Sequence, residues 1–254
     1  MIPFFRKIRK KLADDNRPIQ YIRYAIGEIV LVVIGILIAL QINNWNEDNK
    51  SRKIEHKLLR ELRDDLEETK ADLLTDIVKA QFWLRVTDSL YQQILHDRAE
   101  NNPRPIRITT QFIYNRSDLF PKKSAYQSLQ AFGINLVSND SLRKGITDFY
   151  ELQLIRVESL EQYIKETHEK ELAPYLMQVS KPTDDCKGCN SLEELFSNDS
   201  LNTNNFYEVD APSDRLLHFF KTKYMAYSAL TRLYTATQRG IDYLIETIDL
   251  ETGP

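Results

Sequence analysis

Residues Tyr24 to Ile42 read YAIGEIVLVVIGILIALQI, nineteen positions with one ionisable side chain, Glu28. About 20 apolar residues in a helix cross the roughly 30 Å hydrocarbon core of a bilayer. This run is the sequence's one candidate for a transmembrane helix. It divides the chain into a basic segment at 1–23, a span at 24–42, and everything after. Read outward from it, the fold is all-α. The span continues into a long amphipathic helix at 43–98, and 99–254 complete an antiparallel helical bundle with a polar loop at 180–213.

Charge gives the run a direction. Seven basic residues (Arg6, Lys7, Arg9, Lys10, Lys11, Arg17, Arg23) face two acidic ones (Asp14, Asp15) before it, a net of +5. After Glu28 the chain carries 27 basic and 34 acidic residues, a net of −7. Lys and Arg near a span stay in the cytoplasm during insertion. The N-terminus is therefore expected inside and the C-terminal domain outside, in the periplasm of a bacterium with two membranes. A cleaved signal peptide competes, because the uninterrupted core Ile29 to Leu40 is only twelve residues long. No small-x-small cleavage pattern follows it, and Trp45 suits an interfacial belt, which favours a retained anchor. Phe4, Phe5, Ile8 and Leu12 recur at helical spacing among the basic residues. They read either as a helix on the anionic leaflet or as an unstructured positive tail.

Within the run, Glu28, Gly35 and Ala39 share a helical stripe. Gly35-x-x-x-Ala39 is a small-xxx-small pair that permits close helix approach. One expectation is a homodimer of spans with Glu28 hydrogen-bonded across the interface; the alternative is a monomeric span.

Beyond the membrane, Leu59, Leu62, Leu66, Thr69, Leu73, Ile77, Ala80, Leu84, Thr87, Tyr91 and Ile94 alternate by threes and fours, with charged faces between. That is one amphipathic helix from Glu47 to about Asp97, without Gly or Pro. Asn101 to Pro105 ends it. Ile106 to Phe120 is ambiguous, with a short helix around Thr110 to Tyr114. Ser124 to Phe132 reads as a helix stopped by Gly133, and 138–141 offer N-cap residues. A second long helix runs from Ser141 to about Leu172 on the stripe Leu142, Ile146, Phe149, Gln153, Val157, Leu160 and Ile164, and Pro174 ends or kinks it. Residues 180–213 form a loop with a short helix near Leu192 to Phe196, and the last helix covers about Ser213 to Leu250. Three long helices bury their stripes most simply as an up-and-down bundle.

The strings FFRKIRKKL, YAIGEIVLVVIGILIALQINNWNE and SAYQSLQAFGINLVSNDSLRKGITDFYE together resemble an uncharacterised family of Bacteroidota membrane proteins, a domain of unknown function. The resemblance is close over 4–47 and looser over 124–151, where Tyr126, Leu129, Gly133, Leu136, Asn139, Leu142, Ile146 and Tyr150 match by type and spacing. It implies an inner-membrane protein with one N-terminal anchor and a helical periplasmic part. It supplies no catalytic residue and no ligand.

Chemistry-bearing residues are sparse. Cys186 and Cys189 form Cys-Lys-Gly-Cys in the polar loop on the oxidising side. A local disulfide there closes a small ring and stabilises little, and the rival reading is a redox-active pair. Zinc needs more ligands than two thiolates. The histidines His56, His96, His168 and His218 are scattered and read as solvated or capping residues. No phosphate-binding, hydrolase or zinc-protease motif occurs. The pairs Asp64-Asp65 and Glu67-Glu68 read as a solvated helix face. Net negative charge outside argues against nucleic acid, and no cofactor is expected. Two function classes remain. One is a non-enzymatic envelope scaffold or ligand-sensing module, with the lipid bilayer, a second copy or an envelope protein as partner. The other is a periplasmic enzyme or thiol-redox protein using Cys186 and Cys189, or a bundle pocket lined by Tyr126, Tyr150, Tyr224, Tyr227 and Tyr234.

Overall fold

The structure, a computed structural model, describes residues 18–102, 104–109, 118–182, 206–210 and 212–253. Helix α1 is Pro18–Ala99, 82 residues. Strand β1 (Ile106–Thr109) follows, then α2 (Ser124–Phe132) and a 3-10 turn (Ile134–Leu136). Next come α3 (Asp140–Asp148), α4 (Leu154–Thr167) and α5 (Ala173–Val179), joined by π-turns at Phe149–Gln153 and His168–Leu172. Backbone torsions at all four joins are α-helical, so 140–179 is one continuous rod. Strands β2 (Lys181–Pro182) and β3 (Phe206–Val209) precede α6 (Asp214–Thr252). The chain divides into two compact units, Met1–His56 and Lys57–Pro254.

In the first unit, α1 is apolar all round over residues 29–40. Its most apolar window has a mean hydropathy of 2.6 and no buried residue, and among the described residues this is the one helix long and apolar enough to cross a membrane. Glu28 is half-buried; Gly35 and Ala39 are exposed.

The second unit holds the core. Leu59, Leu62, Leu66, Leu73 and Ala80 of α1 are fully buried, as their spacing expects. Salt bridges set the direction of α6 against α1: Arg63 meets Asp249 at 2.6 Å, Lys70 meets Asp242 at 2.7 Å, and Arg98 pairs with Asp214. Numbers rise on one helix as they fall on the other, so the two are antiparallel. The rod gives the same pattern. Asn139 bonds Glu251 at 3.3 Å, Gln153 bonds Thr237 at 3.3 Å, Glu161 bonds Tyr234 at 2.5 Å, and Tyr175 packs on Phe219. Helix α6 is thus antiparallel to both long partners, while α1 and the rod run the same way and 100–139 carries the crossover. The all-α antiparallel bundle holds; its connectivity is not a simple up-and-down succession.

Several boundaries follow their capping chemistry. Asn139 accepts the N–H groups of Ser141 and Leu142, and Ser213 accepts that of Leu216. Helix α2 stops at Gly133, whose φ of 97° suits a residue without Cβ. Two expectations change. Pro174 does not end the rod, which runs on to Val179. A proline cannot donate to the carbonyl four residues back, and the π-turn at His168–Leu172 changes the hydrogen-bond spacing just before it. The ambiguous stretch after Pro105 begins as a strand. β1 and β2 flank β3 in a three-stranded antiparallel sheet, with Ile106 opposite Val209 and Lys181 opposite Glu208. Ile106 and Ile108 alternate inward, with Arg107 between them paired to Glu208 at 3.0 Å. The helices expected around 110–114 and 192–196, and the Cys186/Cys189 motif, lie outside the described residues.

Candidate functional site

The π-turn at Phe149–Gln153 decides which side chains of the rod face inward. A π-turn spends five residues where an α-turn spends about four. A regular α-period carries the stripe through Gln153 and Leu160. The observed stripe keeps Val157 and Ile164 but takes Leu154 and Glu161 in place of Gln153 and Leu160, which are half-buried. A glutamate is thereby placed in the core, one turn after Val157 and one before Ile164, only 8 % exposed.

Glu161 is held on two sides. Its Oε1 accepts the O–H of Tyr234 from α6 at 2.5 Å and the backbone N–H of Leu119 at 3.1 Å. The strand of chain at 118–123 is itself pinned to the bundle. The Lys122 N–H donates to Thr69 Oγ1 at 3.0 Å, and the Lys122 carbonyl accepts the Tyr150 hydroxyl at 3.3 Å. Just beyond it, Asp65 accepts the Ser124 hydroxyl and the Ala125 N–H, each at 2.8 Å. Asp65, read from the sequence as part of a solvated face, caps α2 from another helix.

Between this segment and α4 lies a cleft of about 440 Å³, inside the roughly 300–1,000 Å³ range of small-molecule sites. Leu119, Leu154 and Val157 give it apolar walls. Asp118, Glu158 and Glu161 give it carboxyl groups, and Lys123 and Lys165 give it ammonium groups. Burial pushes the Glu161 carboxyl up to about 7; the bonds from Tyr234 and Leu119 oppose that rise, and Asp118 and Asp76 add to it. A group poised there exchanges its proton near neutral pH.

A second polar cluster sits deeper, at the next π-turn. His168 is 5 % exposed and its Nε2 is buried without a hydrogen-bond partner. Its ring lies 6.3 Å from that of Tyr227, whose face also meets the Lys223 ammonium at 5.8 Å. Burial, aided by Lys223, pulls His168 down to about 2, and burial alone holds Lys223 well below its usual value. His168 is therefore a core residue, not the solvated or capping one its sequence context suggests; His96 and His218 are exposed and His56 is half-buried.

The five tyrosines expected to line a pocket are distributed over separate places. Tyr126 and Tyr150 stack at 4.2 Å with planes 4° apart, and Tyr126 donates to Glu151 at 2.8 Å. Burial first, then Glu151, pushes Tyr126 up to about 12; burial also raises Tyr150. Tyr234 reaches the Glu161 cleft, Tyr227 packs with His168, and Tyr224 is 37 % exposed. The sequence signal for Glu161 was present, a carboxylate within a helical apolar stripe, but it stands out only once the π-turn is counted.

Nothing matches this chain among curated proteins or among solved structures. Residues 28–207 match the profile of a family described as one of unknown function, DUF6090. That stretch starts inside the apolar run at Glu28, takes in the rest of α1, β1, α2 and the whole rod, and stops within β3. With well over half of its length so matched, the chain belongs to the DUF6090 family of unknown function.

Proposed function

We propose that this chain is a single-pass inner-membrane protein with its N-terminus in the cytoplasm and its helical unit in the periplasm, acting by binding rather than by catalysis. The change of surroundings along α1 carries the reading. Residues around 25–42 present apolar side chains on every side, whereas from Leu58 onward one face is buried and the others are charged. A helix that is apolar all round is stable where its surroundings are apolar. The charge imbalance across the run supplies the direction. The family match, which takes in the later part of the run together with the α1 and rod portions of the bundle, supports treating the two as parts of one device. The Glu161 cleft is the place in the bundle best formed to take a ligand.

Protease treatment of spheroplasts tests the orientation. With a C-terminal epitope, the epitope should be lost from intact spheroplasts while the chain sediments with membranes. An epitope protected until the inner membrane is broken overturns the orientation, and a chain that leaves the membrane in carbonate overturns the anchor.

A further inference from the structure

Three features of the Glu161 cleft constrain what fits it. First, the carboxyl group at its base is nine-tenths buried, yet belongs to the lining. Both of its described bonds fall on one oxygen, Oε1. Second, Lys165 lies one turn further along α4, at the i+4 position that puts two side chains on one helix face. Lys123 lines the cleft from the 118–123 side. Among the described residues neither lysine is in a salt bridge; Lys165 interacts with the Glu166 carboxylate, which is itself paired with Lys170. Third, the walls near the carboxyl are Leu119, Leu154 and Val157. An acceptor for ammonium at Glu161, donors for a carboxylate about one turn further along α4, and an apolar wall on the opposite side at Leu154 and Val157 match the three groups that branch from the Cα of an apolar α-amino acid.

We propose that the cleft binds a free α-amino acid with an apolar side chain. Its ammonium group sits against Glu161, its carboxylate faces Lys165 and Lys123, and its side chain rests on Leu154 and Val157. This rests on the reading of the bundle as a binding module and deepens it with a ligand class. The volume is ample for one such molecule with water. Binding couples to protonation. An ammonium favours the ionised carboxylate, so ligand binding drives the proton off Glu161. The charged and titratable groups around Glu161 are Tyr234 from α6, Asp118 and Lys123 from the crossover, Asp76 from α1, and Glu158 and Lys165 from its own helix. Between pH 6 and 8 the charges of the amino acid do not change. With Glu161 near 7 its ionised fraction falls about tenfold from pH 8 to pH 6, and affinity should fall with it.

Calorimetric titration of the full-length chain in nanodiscs tests this with three probes: leucine, leucinamide, which lacks the carboxylate, and N-acetyl-leucine, which lacks the ammonium. Leucine should bind, about tenfold more weakly at pH 6 than at pH 8. N-acetyl-leucine and leucinamide should each lose tenfold or more. Glu161→Gln should cost at least tenfold for leucine, with folding checked by circular dichroism. Lys165→Met, on the cleft rim, should weaken leucine while leaving leucinamide unchanged. No leucine binding, or leucine affinity unmoved by both substitutions, overturns the proposal. Equal binding of leucine and leucinamide also overturns it, in favour of a simple amine site. These outcomes are independent of the protease result, so the ligand class and the anchored topology fail separately.

Discussion

Two stretches of α1 carry similar side chains and meet opposite fates. Between Ile26 and Ile42 every large apolar side chain is at least 47 % exposed within the protein. Between Leu58 and Ile94 the leucines on one face, Leu59, Leu62, Leu66 and Leu73, are fully closed off. Backbone geometry is the same in both. The difference lies in what stands between the apolar residues: more apolar residues in the first stretch, Arg, Lys, Asp and Glu in the second. A stripe needs other helices to cover it, and α6 and the rod supply that cover. An all-round apolar surface cannot be covered by one stripe from a neighbour and instead selects its solvent. Pattern, rather than apolar content, separates a core helix from one apolar enough on every side to cross a membrane.

The sharpest way to break this contrast is a matched truncation. Leu66→Ala removes methyl groups from a closed core and should destabilise the bundle by about 2–5 kcal/mol. Leu37→Ala removes the same groups from the first stretch and should change bundle stability by less than about 0.5 kcal/mol. Denaturant midpoints of the detergent-solubilised chain compare the two. Equal losses would mean that the run 24–42 packs as core.

A smaller effect separates two buried titratable groups of the rod, Glu161 and His168. Folding raises Glu161 from 4.5 to about 7, so the folded state holds this proton more tightly. Its contribution is greatest below pH 4.5 and is lost as pH rises to about 7, on the order of 3 kcal/mol in all. Folding lowers His168 from 6.5 to about 2, so the unfolded state takes up that proton first, and stability is lost as pH falls below 6.5. From pH 4.5 to 6.5 the two slopes oppose each other. Glu161→Gln removes one of them, so its thermal midpoint should fall more steeply than that of the parent chain on acidification from pH 6.5 to 4.5. Parallel profiles for the two proteins would show that Glu161 is solvated in the folded state.

Those two residues also mark where the sequence was legible and where it was not. The stripe of α1, the Asn139 and Ser213 caps and the Gly133 stop depend on neighbours within a few positions, and all read directly. The pairing of β1 with β3 joins residues a hundred positions apart, so Ile106–Thr109 looks ambiguous alone. The π-turn at Phe149–Gln153 moves the buried positions from Gln153 to Leu154 and from Leu160 to Glu161, and His168 continues the same face one turn after Ile164 as a polar residue that gives no apolar signal. The parallel course of α1 and the rod is a tertiary fact, fixed by the separate antiparallel contacts each makes with α6, such as Arg63 to Asp249 and Gln153 to Thr237, that no periodicity announces.

A spin-label scan of single cysteines along α1 in native-lipid bilayers, in a background without Cys186 and Cys189, measures directly whether one helix meets two solvents. Residues 29–40 should be accessible to oxygen and shielded from an aqueous nickel chelate on every face. Residues 57–97 should show a 3.6-residue alternation, with Leu62, Leu66 and Leu73 closed to both reagents and the charged faces open to the chelate. A 3.6-residue alternation continuing through 29–40, or chelate access there, would contradict the membrane span and the reading built on it.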